Sequence, residues 1–446
     1  MLSLAEASAQ IRNRKISSVE LTDLCLDRIA KLNPQLNAFI TVTEELAHQQ
    51  ARQADCECLA GRWRGPLHGI PVALKDLIDV AGVKTTAASR QLAHNVATRD
   101  AVVIERLKQA GAVILGKTNL HEFAFGGSGL ISAYGPARNP WDTTRITGGS
   151  SSGAAAAVAT GMCVAAIATD TAGSIRAPAA LCGIVGHRPS ATVLSFEGVI
   201  PLRKSFDTIG PMARTVDDAW MLLRALVADS TVSSLDRNIR KIRVGVPRAK
   251  FFGGLDTAVA QCIEQALGVI RSLVAEIKDL DLEVNVPWTD FNEEILEFHR
   301  HMMETSPQLY EPDTLQRLRA CTTISESAYQ QARTALVGAR RQAERIFDQV
   351  DIVVTPTCLV AAPKIAELQA LSDLRAYEVQ SLLENTAPFS LLFWPSVSVP
   401  CGFTEEALPV GMQISARLGA DELALRTAHA YEQATEWYKR VPHLAS

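Results

Sequence analysis

Neither sign of charge dominates this chain: 44 Lys and Arg face 48 Asp and Glu, a formal net charge of −4 over 446 residues. No Lys/Arg cluster forms a stripe, so neither nucleic acid nor an anionic membrane is an expected partner. The longest apolar run, from Ala154 to Ala168, is interrupted by Thr160 and Gly161. It falls short of the roughly 18–20 residues that span a bilayer. The opening MLSLAE is followed by Arg12, Arg14 and Lys15, without an apolar core or a small-residue cleavage site, which argues against a secretory signal. The nine cysteines are odd in number and follow no framework spacing. Cys56-x-Cys58 has no partner pair or histidine at zinc-site spacing, so no metal is expected. Free thiols in a cytoplasmic protein are the expectation.

What is present is ample core, with 47% apolar and 21% charged residues. Residues 3–50 carry a helical pattern, with a capping box at Ser17-x-x-Glu20 ahead of Leu21, Leu24, Leu26 and Ile29. Short apolar runs read as buried strands at residues 70–74, 112–115, 164–168, 242–246, 352–355, 396–399 and 411–414. Helices are expected at 100–111, 154–160 and 421–438, and they dominate about 250–350. Residues 118–135 read mostly as loop, and 229–240 as a polar linker. Strands alternating with helices predict an α/β sheet covered on both faces.

Two motif spellings fail on context. GAVILGKT (111–118) fits the Walker A pattern, but its four middle residues are themselves the strand, leaving no loop to wrap a phosphate. Gly149-x-Ser151-x-Gly153 fits a nucleophile elbow, which needs a strand immediately before it. Here NPWDTTR (139–145) precedes it, and His429, the candidate in the expected late position, lies inside a helix.

A third constellation is stronger. Ser150 and Ser174 lie 24 residues apart (174 − 150), each in a glycine-flanked loop at one end of an apolar segment. Lys75 stands alone in the apolar run from Gly69. Amide hydrolysis needs an activated nucleophile, a stabilised oxyanion and a proton for the leaving amine. A lysine serves as base only when neutral, and burial among apolar groups favours that form. The bland reading of Lys75 is an ion pair with Asp76 or Asp79. The turn from Asp170 to Ser174 can expose consecutive backbone N–H groups as an oxyanion hole, or be a plain tight turn.

These residues carry a resemblance. GGSSSGAAAAVATG (148–161) and ATDTAGSIRAPAALCGIVGHRPS (168–190) resemble the signature of the amidase signature family. GIPVALKDLIDVAG (69–82), ILGKTNLHEFAFG (114–126), YGPARNPWD (134–142) and DTIGPMARTVDDA (207–219) are similar to family segments. So are IVVTPT (352–357), PSVSVPCGF (395–403) and PVGMQISA (409–416). The resemblance implies a single domain over 1–446 built on a large mixed, mostly parallel twisted sheet covered by helices. An N-terminal helical segment would occupy about 1–52 and a helical excursion about 250–350. Ser174 matches the family nucleophile, Ser150 the bridging serine that follows a cis peptide, and Lys75 the base. The backbone N–H groups of Thr171, Ala172, Gly173 and Ser174 match the oxyanion hole, and Ser151 a polar position beside the bridge. No cofactor or metal is implied. Ser152, Ala154 and Ala172 depart from the commoner pattern without removing a reacting group; alanine at 172 requires a φ that is not strongly positive.

The resemblance implies an amidohydrolase acting on a small-molecule amide, free-standing or paired with a second copy through the N-terminal helices. Phe123, Phe125, Phe389, Phe393 and Trp394 form its candidate pocket lip, or else ordinary core; Arg317 or Arg319 would hold a urea-like or carboxylated amide. The alternative is the A subunit of a glutamine-dependent tRNA amidotransferase, which makes ammonia from glutamine for a partner subunit. That branch carries an aspartate for the glutamine amino group where this chain has Leu383, with Glu384 beside it. Its Tyr-Asp-Gly-x-Arg-Tyr segment is missing from 285–320. An inactive scaffold is a third reading, opposed by the intact Lys75, Ser150 and Ser174.

Overall fold

The computed structural model describes residues 1–191, 193–227, 235–236, 238–284 and 286–445. The expected linker at 229–240 lies in large part outside them. Eleven strands are formed: β1 Phe39–Val42, β2 Pro71–Lys75, β3 Val113–Thr118, β4 Ala165–Asp170, β5 Val185–Arg188, β6 Thr208–Ala213, β7 Arg243–Val246, β8 Glu276–Asp279, β9 Ile352–Pro356, β10 Ser396–Phe403 and β11 Pro409–Ala416. They join in one sheet, in the order β1-β3-β2-β4-β6-β5-β10-β11-β9-β7-β8. Alternation along the strands serves both faces. Val72, Leu74, Ile114 and Ile167 enter one core cluster with Ile104, Leu107 and Trp220. Ala73, Val113, Leu115 and Ala166 point the other way, onto the small-residue helix Ser152–Ala159 and onto Ile29 and Leu32. Strands buried on both faces read as continuous apolar runs rather than alternating ones.

The sheet is mixed, but not mostly parallel as expected. Parallel pairing is confined to β2 with β3 and β4, and β7 with β8 and β9. The other six pairings are antiparallel. The short link between β10 and β11 forces this for that pair, because a parallel return needs a long crossover. The N-terminal stretch is also not purely helical. The capping box at Ser17 and Glu20 opens the helix Ser18–Leu36 as expected, but Asn37 closes it in the left-handed region and β1 follows. The expected closing helix is shorter, Asp421–Thr435. β5, β6 and β8 escaped the sequence reading; β6 holds Gly210 and Pro211, poor strand formers that pair here with β4, while β5 pairs only with Met212 and Ala213, so the proline falls where one neighbour alone is paired. Among the described residues no helix is long and apolar enough to cross a membrane.

Lys75 and Asp170 end the neighbouring parallel strands β2 and β4. In open α/β sheets the crevice beyond such carboxyl ends is where ligands bind. β3 runs through the Walker-like lysine, so Lys117 is buried in the sheet, 2.9 Å from the Asp76 carboxylate. Asp76 also accepts from the Thr86 N–H at 3.0 Å and hydroxyl at 2.5 Å. Lys117→Met leaves that carboxylate buried without its cation. Denaturant titration should show a loss of about 3–5 kcal/mol; a loss within that of an exposed pair, below about 1 kcal/mol, would contradict the buried-pair account.

Candidate active site

Lys75 is fully buried, and among the described residues no carboxylate pairs with it, since Asp76 faces Lys117 instead. Its Nζ donates to Ser150 Oγ at 2.7 Å, to Thr169 Oγ1 at 2.9 Å and to the Thr169 carbonyl at 3.3 Å. Burial pulls its pKa down to about 7, against the more distant pull of Asp170 and Asp207. Neutral hydroxyls solvate an ammonium far less than water does, so the neutral amine is favoured. Ser150 is held by its backbone. The Gly149–Ser150 peptide is cis, the Gly149 N–H donates to the Gly127 carbonyl at 2.7 Å, and the Ser150 carbonyl accepts from the His121 N–H at 3.0 Å. The Ser151 N–H donates to the Ser174 carbonyl at 3.2 Å, tying the two serine loops together.

The second loop is wrapped around one carboxylate. Asp170 accepts from the N–H groups of Gly173 at 2.9 Å and Ile175 at 3.1 Å. Arg176 grips it with two bonds, at 3.0 and 2.9 Å, and Arg188 adds a third cationic contact at 3.1 Å. These two guanidiniums overcome the cost of burial and hold its carboxyl well below the usual range. Thr171 Oγ1 donates to Asp207 at 2.5 Å, and burial still raises the Asp207 carboxyl to about 6. The Gly173 N–H, expected in the oxyanion hole, is thus committed to Asp170. Among the described residues Thr171, Ala172 and Ser174 keep N–H groups without an internal acceptor, and Ala172 meets the requirement of no positive φ.

Ser174, Thr171 and Ala172 open onto a cavity of about 400 Å³. Phe125 lines it. The other pocket residues expected from sequence do not. Phe123 is buried in an aromatic cluster with Phe298, His299 and Tyr310. Ser151 is buried, its hydroxyl 3.3 Å from the Thr169 carbonyl. Phe389 and Trp394 pack on each other and on Phe251 and Phe347 in the core. The physical reason is helical phase: Pro388 and Leu391, on one face of the helix Ala387–Leu391, line the cavity, and Phe389 points to the opposite side. Phe393 sits at a different cleft under the Arg340 guanidinium. Arg317 reaches the cavity but is bound to Glu378 at 2.6 Å and Asp313 at 2.5 Å, while Arg319 is exposed.

Leu383, read from the sequence only for the carboxylate it lacks, and Thr386 and Thr169, not singled out there, also build the site. Leu383, ending a π-helical turn Glu378–Leu383, lies against Gly127 and Gly173. Thr386 donates to the Ala172 carbonyl at 2.6 Å. Thr169, which holds Lys75, sits inside the signature and could have been found from its place one residue before Asp170 at the strand end. Among the described residues no cluster of three or more His, Cys, Asp or Glu side chains could hold a metal.

A buried lysine and two serines at the carboxyl edge of a mixed α/β sheet define a hydrolase of linear C–N amide bonds. The chain belongs to the Amidase family, whose model matches residues 20–425. It is 36% identical to the A subunit of glutamyl-tRNA(Gln) amidotransferase from Roseiflexus sp. (strain RS-1), over 99% of this chain and 98% of that protein. It superposes on a solved amidase with a TM-score of 0.87 and 30% identity, covering 97% of this chain and 99% of the other. Peptide amidase from Stenotrophomonas maltophilia gives a TM-score of 0.83 and 30% identity, covering 100% and 99%.

Gly173 has a φ of +138°, and a Cβ there would meet Thr386 Cβ at 2.7 Å and the Thr386 hydroxyl closer still. Gly173→Ala combines an unfavourable backbone region with that collision. Amide turnover should fall at least about a hundredfold, in line with the cost of displacing catalytic groups by about an ångström. Near wild-type turnover, measured by ammonia release, would show that the loop tolerates displacement.

Proposed function

We propose that the chain hydrolyses a carboxamide through an acyl-enzyme on Ser174, with Ser150 relaying protons and Lys75 as base. The observation that carries this reading is Lys75, a buried lysine without a carboxylate partner among the described residues, 2.7 Å from Ser150 Oγ. Neutral Lys75 takes the Ser150 proton as Ser150 takes that of Ser174. Ser174 Oγ attacks the amide carbon, and the oxyanion is stabilised by the N–H groups of Thr171, Ala172 and Ser174. The C–N bond breaks as Ser150 returns a proton to the leaving nitrogen and is itself reprotonated from Lys75. Ammonia or an amine departs, and water cleaves the ester to the acid.

Two substrate readings follow. The names of the sequence relatives favour a protein that takes ammonia from glutamine for a partner. The pocket wall supports a free-standing amidase. Leu383 stands where an ammonium-binding carboxylate is expected, and Glu378 is already bound to Arg317 and Ser128. Glu384 at the rim pairs with Lys250 at 3.1 Å. An ammonium set against leucine would cost about 2–7 kcal/mol or more.

Two measurements test this. The base must be neutral, and its pKa is lowered to about 7. kcat/KM should therefore rise with pH by roughly tenfold between pH 6 and 8 and level off above. Lys75→Arg should be inactive because guanidinium stays protonated. A limb centred near pH 10 would overturn the buried-base assignment. Ammonia release by the isolated chain from glutamine and from a neutral aryl amide separates the substrate readings. Faster turnover of the aryl amide, abolished by Ser174→Ala with a loss of up to about 10⁶, supports the free amidase. Preference for glutamine, or activity only with tRNA and a partner protein, establishes the other.

A further inference from the structure

The cavity over Ser174 contains charge that the hydrolytic steps do not use. Arg203 and Arg375 both line it. Arg203 is buried; its Nη2 donates to the neutral amide oxygen of Asn292 at 2.9 Å, and its Nε has no acceptor. Its guanidinium lies 5.3 Å from the centre of the Trp288 ring, and that of Arg375 lies 4.8 Å from the Phe125 ring. Neither forms a salt bridge among the described residues. The other cations at this wall are already matched, Arg317 by Glu378 and Asp313, and Lys250 by Glu384. Burial and the nearby charge of Arg375 bring Arg203 down to about 10, so it stays charged at neutral pH. The carboxylates of Asp207 and Glu294 act on Arg203, and those of Glu378 and Asp313 on Arg375, only from beyond salt-bridge distance, so an anion in direct contact would relieve the cost of burying the two cations. The planar fork of a guanidinium matches a carboxylate in shape as well as charge.

We propose that the substrate is the monoamide of a dicarboxylic acid, its carboxylate held by Arg203 and Arg375 and its amide carbonyl placed at Ser174. This rests on the hydrolase reading above and narrows it. Glutamine shares the carboxylate but adds an ammonium, which Leu383 does not receive. Arg203 and Arg375 come from remote parts of the chain, on the segment before β6 and on the helix Leu374–Tyr377. They converge only through the loop that Asp207 ties to Thr171.

The test compares malonamate, succinamate and glutaramate with neutral amides of the same length and with glutamine, scored as kcat/KM from ammonia release. Wild type should prefer at least one anionic monoamide over its neutral counterpart by about tenfold or more. That ratio should collapse in Arg375→Gln, chiefly through KM, and recover in part in Arg375→Lys. Arg203→Gln should behave likewise; Arg375 is the safer variant because it is only half-buried. Equal turnover of anionic and neutral amides, or preference for glutamine, overturns the inference and leaves the hydrolase intact. If folded wild type cleaves no amide in the panel, the hydrolase reading fails for these substrates. The anion site is then decided by calorimetry of the same three monoamides on Ser174→Ala protein: binding lost in the Arg375→Gln background supports it, and absence of binding overturns it.

Discussion

Everything at the site hangs on the buried carboxylate of Asp170. It ends β4, and its two oxygens collect the N–H groups of Gly173 and Ile175 and the guanidiniums of Arg176 and Arg188. That arrangement forces the chain to turn tightly through Thr171 to Ser174 and aims the remaining N–H groups outward. Arg176 extends the constraint. It also donates to Gln413 on β11 at 2.7 Å, to Ser390 at 2.7 Å and to the Thr386 carbonyl at 2.9 Å. One side chain thereby fixes the nucleophile loop, the far strands of the sheet and the pocket wall relative to each other.

Burial acts on Asp170 and Lys75 in the same sense, since it disfavours charge on both, yet the outcomes are opposite. Asp170 is gripped by two guanidiniums, so its charged form wins. Among the described residues Lys75 bonds to hydroxyl and carbonyl oxygens, while the carboxylates of Asp170 and Asp207 act from farther away, so desolvation prevails. The partner that could have kept it charged, Asp76, faces away to Lys117. Successive residues leaving a strand point to opposite faces, and that geometry separates an acid and a base adjacent in sequence.

The cavity is lined both by apolar groups, Phe125, Leu383 and Leu391, and by the cations Arg203 and Arg375, with Arg375 stacked on Phe125. The glycines carry the loops past this wall. At Gly173 and Gly127 a side chain would run into Thr386 or Leu383. The two loops therefore pack directly against Thr386 and Leu383, which leaves no room for a side chain at either position.

The sequence by itself determined the α/β class and seven of the buried strands, and it singled out Lys75, Ser150 and Ser174 as candidate reacting groups. Strand-length apolar runs and glycine-flanked polar residues are local signals, and a lysine isolated among apolar neighbours can be read wherever it lies. The signature also marked the turn that would present the amides. Only tertiary structure decided that antiparallel pairing prevails, because the partner of each strand depends on connections and packing rather than on its own residues. β6, with Gly210 and Pro211, is held by β4 along its whole length and by β5 at Met212 and Ala213, neighbours that its own residues do not announce. Tertiary structure also decided the pocket. Aromatic character placed Phe389 and Trp394 equally well in core or lip; helical phase sent Phe389 to the core, and Trp394, beyond the helix end, packs there on Phe389 and Phe347. Leu383, Arg203 and Arg375 meet Ser174 across a cavity built from segments far apart in the chain, and no spacing rule connects them.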